Sequence, residues 1–414
     1  MRGSFVLHDF PPGLTPYGAT SIFNTLPPLY QSTIQEYRMI DRTRGRRIDR
    51  RRLLDLLFGR LAALGGIALI LTILAVFAVI LWVMYPLFVS PAEYRWDTPG
   101  PDGIESGYGI LPLIFGTLKG AVYTLLFAVP LSVLAALYAS QFLPRSLKEN
   151  LKPLVEIMAA VPSVVLGFIG GIWLAPFLAS HVFALFLAPV FIAGTVLTVF
   201  LVRHHAPFRF RVFNHPGREF WLLLAAVLAG GWLALECGAL LEAAYLHAGY
   251  ETWLEESLGL TYEERNAIVV GMVMGLAVTP IIFTISEEAL SAVPRSFSEG
   301  SLSLGASRWQ TAIRIVLPAA GAGILSAVLL GFSRAIGETM IVLFVSGNIP
   351  AMDWSAFSGF RALSANVALE LPNAARDDSL YRVLFFAAFL LLVSTFAINI
   401  VAELVRRRLR RRYA

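Results

Sequence analysis

The sequence predicts an all-α membrane protein with about eight transmembrane helices, and three observations lead to that prediction. Of the 414 residues, 57% are hydrophobic and only 15% are charged, whereas a soluble domain carries charge on about a quarter of its residues. The apolar residues lie in runs of about 20 or more, the length that crosses a hydrocarbon core of about 30 Å. Because Cys237 is the only cysteine in the sequence, a disulfide scaffold is excluded.

Seven apolar runs supply the eight predicted spans. The first, 61–92, contains no Asp, Glu, Lys or Arg, and it is too long and too far from the N-terminus for a cleaved signal peptide. The uncharged stretch 157–202 is long enough for two helices, which we divide near 176–181. The other predicted spans are 112–142, 219–246, 267–285, 319–345 and 383–402.

The charged residues predict the orientation of these spans. Nine arginines lie between 38 and 60 and six between 406 and 412, and both groups adjoin apolar runs. Since Arg and Lys near membrane helices favour the inner side, both termini are predicted to be cytoplasmic. The net charge of +5 then belongs to a surface facing membrane lipids rather than nucleic acid.

The predicted organisation follows from these boundaries. A cytoplasmic extension covers 1–60, irregular over its first forty residues and basic near the membrane. The first helix and its outer loop cover 61–111, a helical membrane domain covers 112–404, and a basic cytoplasmic tail covers 405–414.

The 286–318 loop, between the sixth and seventh spans, has polar and turn residues at fixed offsets. Gly305 permits a left-handed turn between two short helical pieces, and apolar Leu302, Leu304 and Trp309 suit a partner's groove. Pro318 is well placed to begin the next helix. The alternative is an ordinary amphipathic connector. The spaced positions are Glu299, Gly300, Ser301, Gly305, Ile315, Leu317 and Pro318.

This spacing resembles the E-A-A-x3-G-x9-I-x-L-P loop of ABC importer permeases, with Gly300 and Ser301 where alanines are usual. In the seventh span, the run from Arg334 to Met340 (R-A-I-G-E-T-M) followed by Gly347-Asn348 resembles a signature of phosphate importer permeases of the PstC type. The likeness covers roughly residues 110–405, and the helices at about 182–247 look like an insertion.

The resemblance implies a type I ABC importer permease architecture in the bacterial inner membrane. It implies a permease subunit of an ATP-driven phosphate importer, with the 286–318 loop docking an ABC ATPase that acts as a dimer. A sister permease and a periplasmic phosphate-binding protein would complete the system. The chain would be no enzyme and would hold no cofactor, since none of its three lysines completes the G-x-x-x-x-G-K-[ST] loop for ATP.

Two polar residues predicted at membrane depth are candidates for the substrate pathway. Arg334 lies near the middle of the seventh span, with Glu338 one helical turn later. Charges at this depth are costly unless paired or facing water, so they mark functional sites by default. A planar guanidinium matches a phosphate oxyanion in bidentate fashion. The alternative is a structural Arg–Glu pair that holds helices together.

Other polar residues receive structural interpretations. Lys119, in the outer part of the second span, is predicted to reach the outer headgroups, although attraction of phosphate is an alternative. His204, His205 and His215 lack the spacing of metal ligands and are predicted to lie in a solvated basic loop. At the level of function, the alternatives are a permease for another oxyanion, a membrane scaffold or sensor in phosphate signalling, and, third, a secondary carrier.

Overall fold

The computed structural model describes residues 28–89, 109–205, 218–245, 250–376 and 378–413, and these are almost entirely helical. Two stretches, Gly170–Leu174 and Ala312–Val316, are π-helical, and Leu371–Asn373 is a 3₁₀ turn. The described α-helices are α1 Pro28–Val89, α2 Leu111–Gln141, α3 Arg145–Ala160, α4 Ser163–Ile169, α5 Ala175–Ala179, α6 Val182–His205, α7 Arg218–Tyr245, α8 Tyr250–Leu258, α9 Ala267–Ser291, α10 Arg295–Ser303, α11 Arg308–Thr311, α12 Leu317–Ala319, α13 Gly321–Gly337, α14 Met340–Val345, α15 Leu363–Glu370 and α16 Ser379–Tyr413.

The helices confirm an all-α polytopic membrane protein. Six of those described are long and apolar enough to cross a membrane, and the number is eight when two bent helix pairs each count as one span. The first pair, Leu147–Ala160 with Ser163–Ala179, bends by 78°, and the second, Arg308–Ala319 with Gly321–Gly337, bends by 68°. The first bend lies at Val161, which is extended because it precedes Pro162.

Two predictions about helix boundaries are wrong. Residues 28–40, expected to be irregular, form the beginning of α1, which continues without a proline until Pro86. The seventh span, expected as one helix over 319–345, is divided: α13 ends at Gly337, and α14 begins only at Met340. Residues 1–27 lie outside the described part of the chain.

The chain divides into two compact units, Met1–Ala78 and Val79–Ala414. In the first unit, nearly all described side chains from Leu54 onward are exposed and apolar, as expected for a lipid-facing helix. Every element discussed below belongs to the second unit.

The core of the second unit is the close packing of α2 against α9. A Cβ added at Gly271 would lie 2.9 Å from the Tyr123 carbonyl oxygen, and one at Gly275 would lie 3.1 Å from Phe127 Cβ. Small residues four apart therefore let the two backbones approach, as is common between membrane helices. Helix α13 packs against both α2 and α9, and α16 packs against α13.

The residues expected to be an insertion form the pair α6 and α7, which pack mainly on each other. Thr195 Oγ1 in α6 donates to the Ala226 carbonyl oxygen in α7 at 2.8 Å. The side chains of His204, His205 and His215 lie outside the described residues. Within the described residues, no group of three or more His, Cys, Asp or Glu is arranged to hold a metal ion.

Candidate functional site: a helix break between two contrasting loops

The 346–362 segment, which follows α14, begins with a left-handed turn. Gly347 has φ +75° and Asn348 has φ +56°. The Asn348 side-chain amide donates to the Leu343 carbonyl oxygen at 2.9 Å, which holds the turn against the end of α14. Among non-glycine residues, asparagine tolerates this backbone region because its short polar side chain can bond locally. The Gly-Asn pair of the sequence signature therefore has a conformational role.

Beyond this turn the segment is not helical, and neighbouring elements satisfy its backbone. The Gly359 N–H donates to Glu263 Oε2 at 2.5 Å, and Thr117 Oγ1 accepts from the Leu363 N–H at 2.9 Å. Irregular backbone among membrane helices is tolerated where protein buries it and satisfies its polar groups. Backbone pairs join Glu263 N–H to Phe357 O (2.9 Å), Ala267 N–H to Ser358 O (3.3 Å), Ile268 N–H to Ala356 O (3.2 Å) and Phe360 N–H to Ser346 O (2.9 Å).

Lys119 of α2 is the largest fully buried side chain among the described residues, with 0% exposure. Its Nζ donates to Asp353 Oδ1 at 3.1 Å, to Ser358 Oγ at 2.8 Å and to the Ser358 carbonyl oxygen at 3.2 Å. The ammonium also lies 5.9 Å from the centre of the Phe360 ring. The prediction that Lys119 extends to the outer headgroups is wrong, because the folded 346–362 segment covers it and supplies its partners.

Asp353 is the carboxylate partner of Lys119, and its side chain remains 45% exposed. It also accepts hydrogen bonds from Ser358 Oγ and, at 2.9 Å, from the Ser355 N–H. Burial alone would raise the pKa of the Asp353 carboxyl, but the hydrogen bonds from Ser358 and Lys119 outweigh it and hold that pKa below its ordinary value. The carboxylate is therefore ionised and faces the buried ammonium.

The break between α13 and α14 changes the geometry of the two predicted pathway residues. Arg334 lies exposed in the last turn of α13. Glu338 follows the end of that helix in an extended conformation, with φ −72° and ψ 127°. No ion pair joins the two side chains within the described structure. The prediction that Glu338 shares a helical face with Arg334 is wrong, because the helix ends at Gly337.

The break between α13 and α14 is held in place by a hydrogen bond from α15. Ser364 Oγ in α15 donates to the Glu338 carbonyl oxygen at 2.9 Å, so α15 holds the extended residue. A Cβ at Gly337 would meet nothing within 4 Å, and the Met340 side chain is exposed. The surface at the break is open, and Arg334 brings positive charge to it. Such a surface can receive an anion.

The 286–318 loop contains the two short helices that its spacing predicts. Gly305 joins them with φ +86°, the left-handed turn expected there. A capping box between Ser307 and Gln310 begins α11, and the Ser301 and Thr311 hydroxyl oxygens lie 2.9 Å apart. Ser301 therefore bridges the two arms of the loop.

Two apolar side chains of this loop are exposed. Leu304 is 91% exposed and Trp309 is 56% exposed, and helix α10 has no buried residue. The following π-helical stretch, by contrast, buries Ala312 and Val316 against the end of α2 and against α9. The C-terminal part of the loop is therefore packed against other helices, whereas Leu304 and Trp309 remain exposed. Exposed apolar surface of this kind is typical of a binding site.

From the sequence, Lys119 is predicted to reach the outer headgroups, and none of the residues that surround it is identified. Asp353, Ser358 and Glu263 are distant in sequence from α2, and only the fold brings them together. A signal was present, since an ionisable residue inside a span is expected to have a partner, and Asp353 is an acidic residue in an otherwise uncharged stretch from 339 to 360.

Comparison with known proteins places these features in a family. The family model for the inner membrane component of binding-protein-dependent transport systems matches residues 128–413. "Phosphate transport system permease protein PstC 1" of Mycobacterium tuberculosis is 30% identical over 333 residues, covering 78% of this chain and 80% of the relative. "Probable ABC transporter permease protein YqgH" of Bacillus subtilis is 26% identical over 312 residues, covering 74% and 75%. A Methanocaldococcus jannaschii protein named as a probable PstC is 26% identical over 298 residues, covering 71% and 74%.

Proposed function

We propose, given that the chain belongs to the family of inner membrane components of binding-protein-dependent transport systems, that it is the permease subunit of an ATP-driven importer of inorganic phosphate. The cargo is inferred from the names of relatives such as that from Mycobacterium tuberculosis. The observation that carries the proposal is the exposed apolar 286–318 loop, rooted on α2 and α9 inside the region that the family model matches.

The proposed partners follow from the chemistry of each surface. An ATPase subunit docks on the 286–318 loop, where Leu304 and Trp309 enter its groove. ATP hydrolysis is assigned to that partner, because none of the three lysines of this chain completes a G-x-x-x-x-G-K-[ST] phosphate loop. A sister permease completes the pathway beside α13, and an extracytoplasmic binding protein delivers the anion on the side of the 346–362 segment.

The proposed location is the inner membrane with both termini in the cytoplasm. The arginines before the first span and after the last support a cytoplasmic position for those ends, since positive residues near membrane helices favour the inner side. With eight spans, the 286–318 loop then faces the cytoplasm, where ATP is available, and the 346–362 segment faces outward.

Arg334 is the proposed contact for the anion at the break between α13 and α14. Its guanidinium is exposed and has no ion-pair partner within the described residues, so its donors are available to an oxyanion. Glu338 stays in the proposed pathway as a neighbouring carboxylate that limits how long the anion remains, not as a helical partner of Arg334.

Reconstitution tests the function directly. The purified chain, its ATPase and the sister permease are placed in liposomes with the binding protein, and uptake of labelled phosphate is measured with and without ATP. Uptake that requires ATP supports the proposal. Uptake that molybdate, tungstate or sulfate suppresses more strongly than unlabelled phosphate does identifies another oxyanion as cargo. Assembly without any transport identifies the scaffold or sensor.

Replacing Arg334 tests the pathway. Arg334→Gln removes a charged donor worth about 1.5–3 kcal/mol per hydrogen bond, so phosphate uptake is expected to fall roughly 10- to 100-fold. Arg382→Gln, at the start of α16, is the matched control and is expected to keep normal uptake. Unimpaired uptake by folded Arg334→Gln would remove Arg334 from the pathway.

A further inference from the structure

Three side chains at the root of the 286–318 loop form a polar clamp. The Lys148 ammonium lies 2.5 Å from Glu287 Oε1 and donates to Ser291 Oγ at 3.1 Å. Ser291 Oγ in turn donates to Glu287 Oε1 at 2.6 Å. Each of the three therefore contacts the other two. Lys148 belongs to α3, whereas Glu287 and Ser291 belong to the last turns of α9, so the clamp joins two helices that are far apart in sequence.

The clamp is partly shielded from water. The Glu287 side chain is only 8% exposed, and Lys148 is 29% exposed. An ion pair in this environment is screened less than one at the surface, and removal of one partner leaves a poorly solvated charge. The geometry thus favours a fixed connection between α3 and α9 over a transient surface contact.

The clamp lies at the N-terminal end of the 286–318 loop, where the last turns of α9 form the beginning of the loop. Only Ala292, Val293 and Pro294 separate Ser291 from the start of α10, and Pro294 fixes its own φ at −57°. Helix α3 begins immediately after Pro144, three residues beyond the end of α2 at Gln141. Leu151 and Val155 of α3 also contact the apolar cluster that supports the root of the loop. Because this connection is only three residues long and contains a proline, we expect a displacement of α10 to be transmitted directly to the clamp.

From α3 a continuous chain of close contacts leads to the helix break. After the bend at Pro162, α4 packs against α14. A Cβ at Gly167 would lie 2.9 Å from the Met340 carbonyl oxygen, which leaves no gap between the two helices. Met340 is the first residue of α14 and borders Glu338 and Thr339. The order of contacts is thus loop, clamp, α3, α4, α14 and break.

We infer that the Lys148–Glu287–Ser291 clamp is a positioning contact that makes α3 move with the 286–318 loop, and so transmits the ATPase's movement to the break beside Arg334. The inference rests on the proposed function. Without the clamp, the loop still binds its partner through Leu304 and Trp309, but only the apolar contacts of Leu151 and Val155 then join α3 to it. ATP hydrolysis then continues while less anion is carried for each ATP.

The test compares transport with hydrolysis in the complete complex in liposomes. Lys148→Met and Glu287→Gln are each expected to lower the ratio of anion transported to ATP hydrolysed roughly 5- to 10-fold, the size of a typical coupling between sites. Lys148→Arg, which keeps the charge and a donor, is expected to restore most of the ratio. Glu403→Gln, which removes an exposed ion pair with Arg406 and Arg407 in α16, is the matched control and should leave it unchanged.

A second readout does not depend on the cargo. In a Cys237→Ala background, Met340→Cys is exposed for labelling, and its labelling rate is expected to change when ATP is added to the complex. Lys148→Met is expected to abolish that change. An unchanged transport ratio and an unchanged ATP response in Lys148→Met would overturn the inference, as would parallel losses of ATPase activity and transport. A normal ATP response without phosphate uptake would contradict the cargo and leave the clamp supported.

Discussion

The 286–318 loop precedes α13, and the 346–362 segment follows α14. The two connections differ in where their polar groups find partners and in how far their apolar side chains are covered. The 346–362 segment bonds to α2, to the start of α9 and to Glu263, and it encloses a lysine completely. The 286–318 loop forms its capping box and its Ser301–Thr311 contact within itself and leaves Leu304 exposed. The polar groups of the 346–362 segment are thus bonded to other parts of this chain, whereas the 286–318 loop leaves an apolar surface on which another protein can bind.

The difference indicates where the molecule is rigid. A buried polar network with satisfied partners specifies one arrangement, because any alternative leaves a group unpaired in a poorly solvated place. The middle of the 286–318 loop, residues 295–311, bonds mainly within itself, so it can move as a unit without breaking such contacts. The helix break lies between a fixed connection on one side and a movable one on the other, which is the arrangement an alternating pathway needs.

The largest expected effect comes from breaking the buried pair, and it depends on which partner remains. Asp353→Ala leaves the Lys119 ammonium charged and fully buried, so we expect a loss of about 3–5 kcal/mol in the free energy of unfolding. Lys119→Met leaves a carboxylate that is 45% exposed and keeps its Ser355 hydrogen bond, so we expect about 1–3 kcal/mol. Thermal unfolding of the purified protein in detergent measures both.

The control substitution for this prediction lies in the 286–318 loop. Glu299→Ala removes an exposed acid from α10 and is expected to change the free energy of unfolding by less than about 0.5 kcal/mol. Equal losses in Asp353→Ala and Lys119→Met would show that the exposed fraction of the remaining partner does not set the cost. A smaller loss in Asp353→Ala would contradict the burial of Lys119.

A pair of glycines extends the comparison to the backbone. A Cβ at Gly116 would lie 2.2 Å from the Arg361 carbonyl oxygen, at the edge of the 346–362 segment, so Gly116→Ala is expected to cost about 1–3 kcal/mol. A Cβ at Gly300 meets nothing within 4 Å, and alanine is the better helix former, so Gly300→Ala is expected to gain about 0.5–1 kcal/mol. Midpoints of thermal unfolding should move in opposite directions. A gain from both substitutions would contradict the tight packing assigned to Gly116.

The sequence predicts some of these features and not others, for identifiable reasons. Long apolar runs and the offsets around Gly305 act locally, so the membrane helices and the turn of the 286–318 loop follow from them. The break after Gly337 has no proline to mark it, and it depends on Ser364 holding the Glu338 carbonyl. The burial of Lys119 depends on Asp353, 234 positions away. No local pattern contains that information.

The smallest expected effect is a dependence of stability on pH that comes from the Asp353 carboxylate in the 346–362 segment. Because the folded state holds the pKa of Asp353 below its ordinary value, the ionised carboxylate contributes stability that is fully present above about pH 4. That stability is lost as the pH falls through the lowered pKa, since protons then bind the folded carboxyl as well. Asp353→Asn has no proton to bind, so its deficit in unfolding midpoint should stay constant between about pH 5 and 7 and shrink below about pH 4. A deficit that persists undiminished at low pH would mean that Asp353 holds Lys119 by hydrogen bonding, independent of its charge.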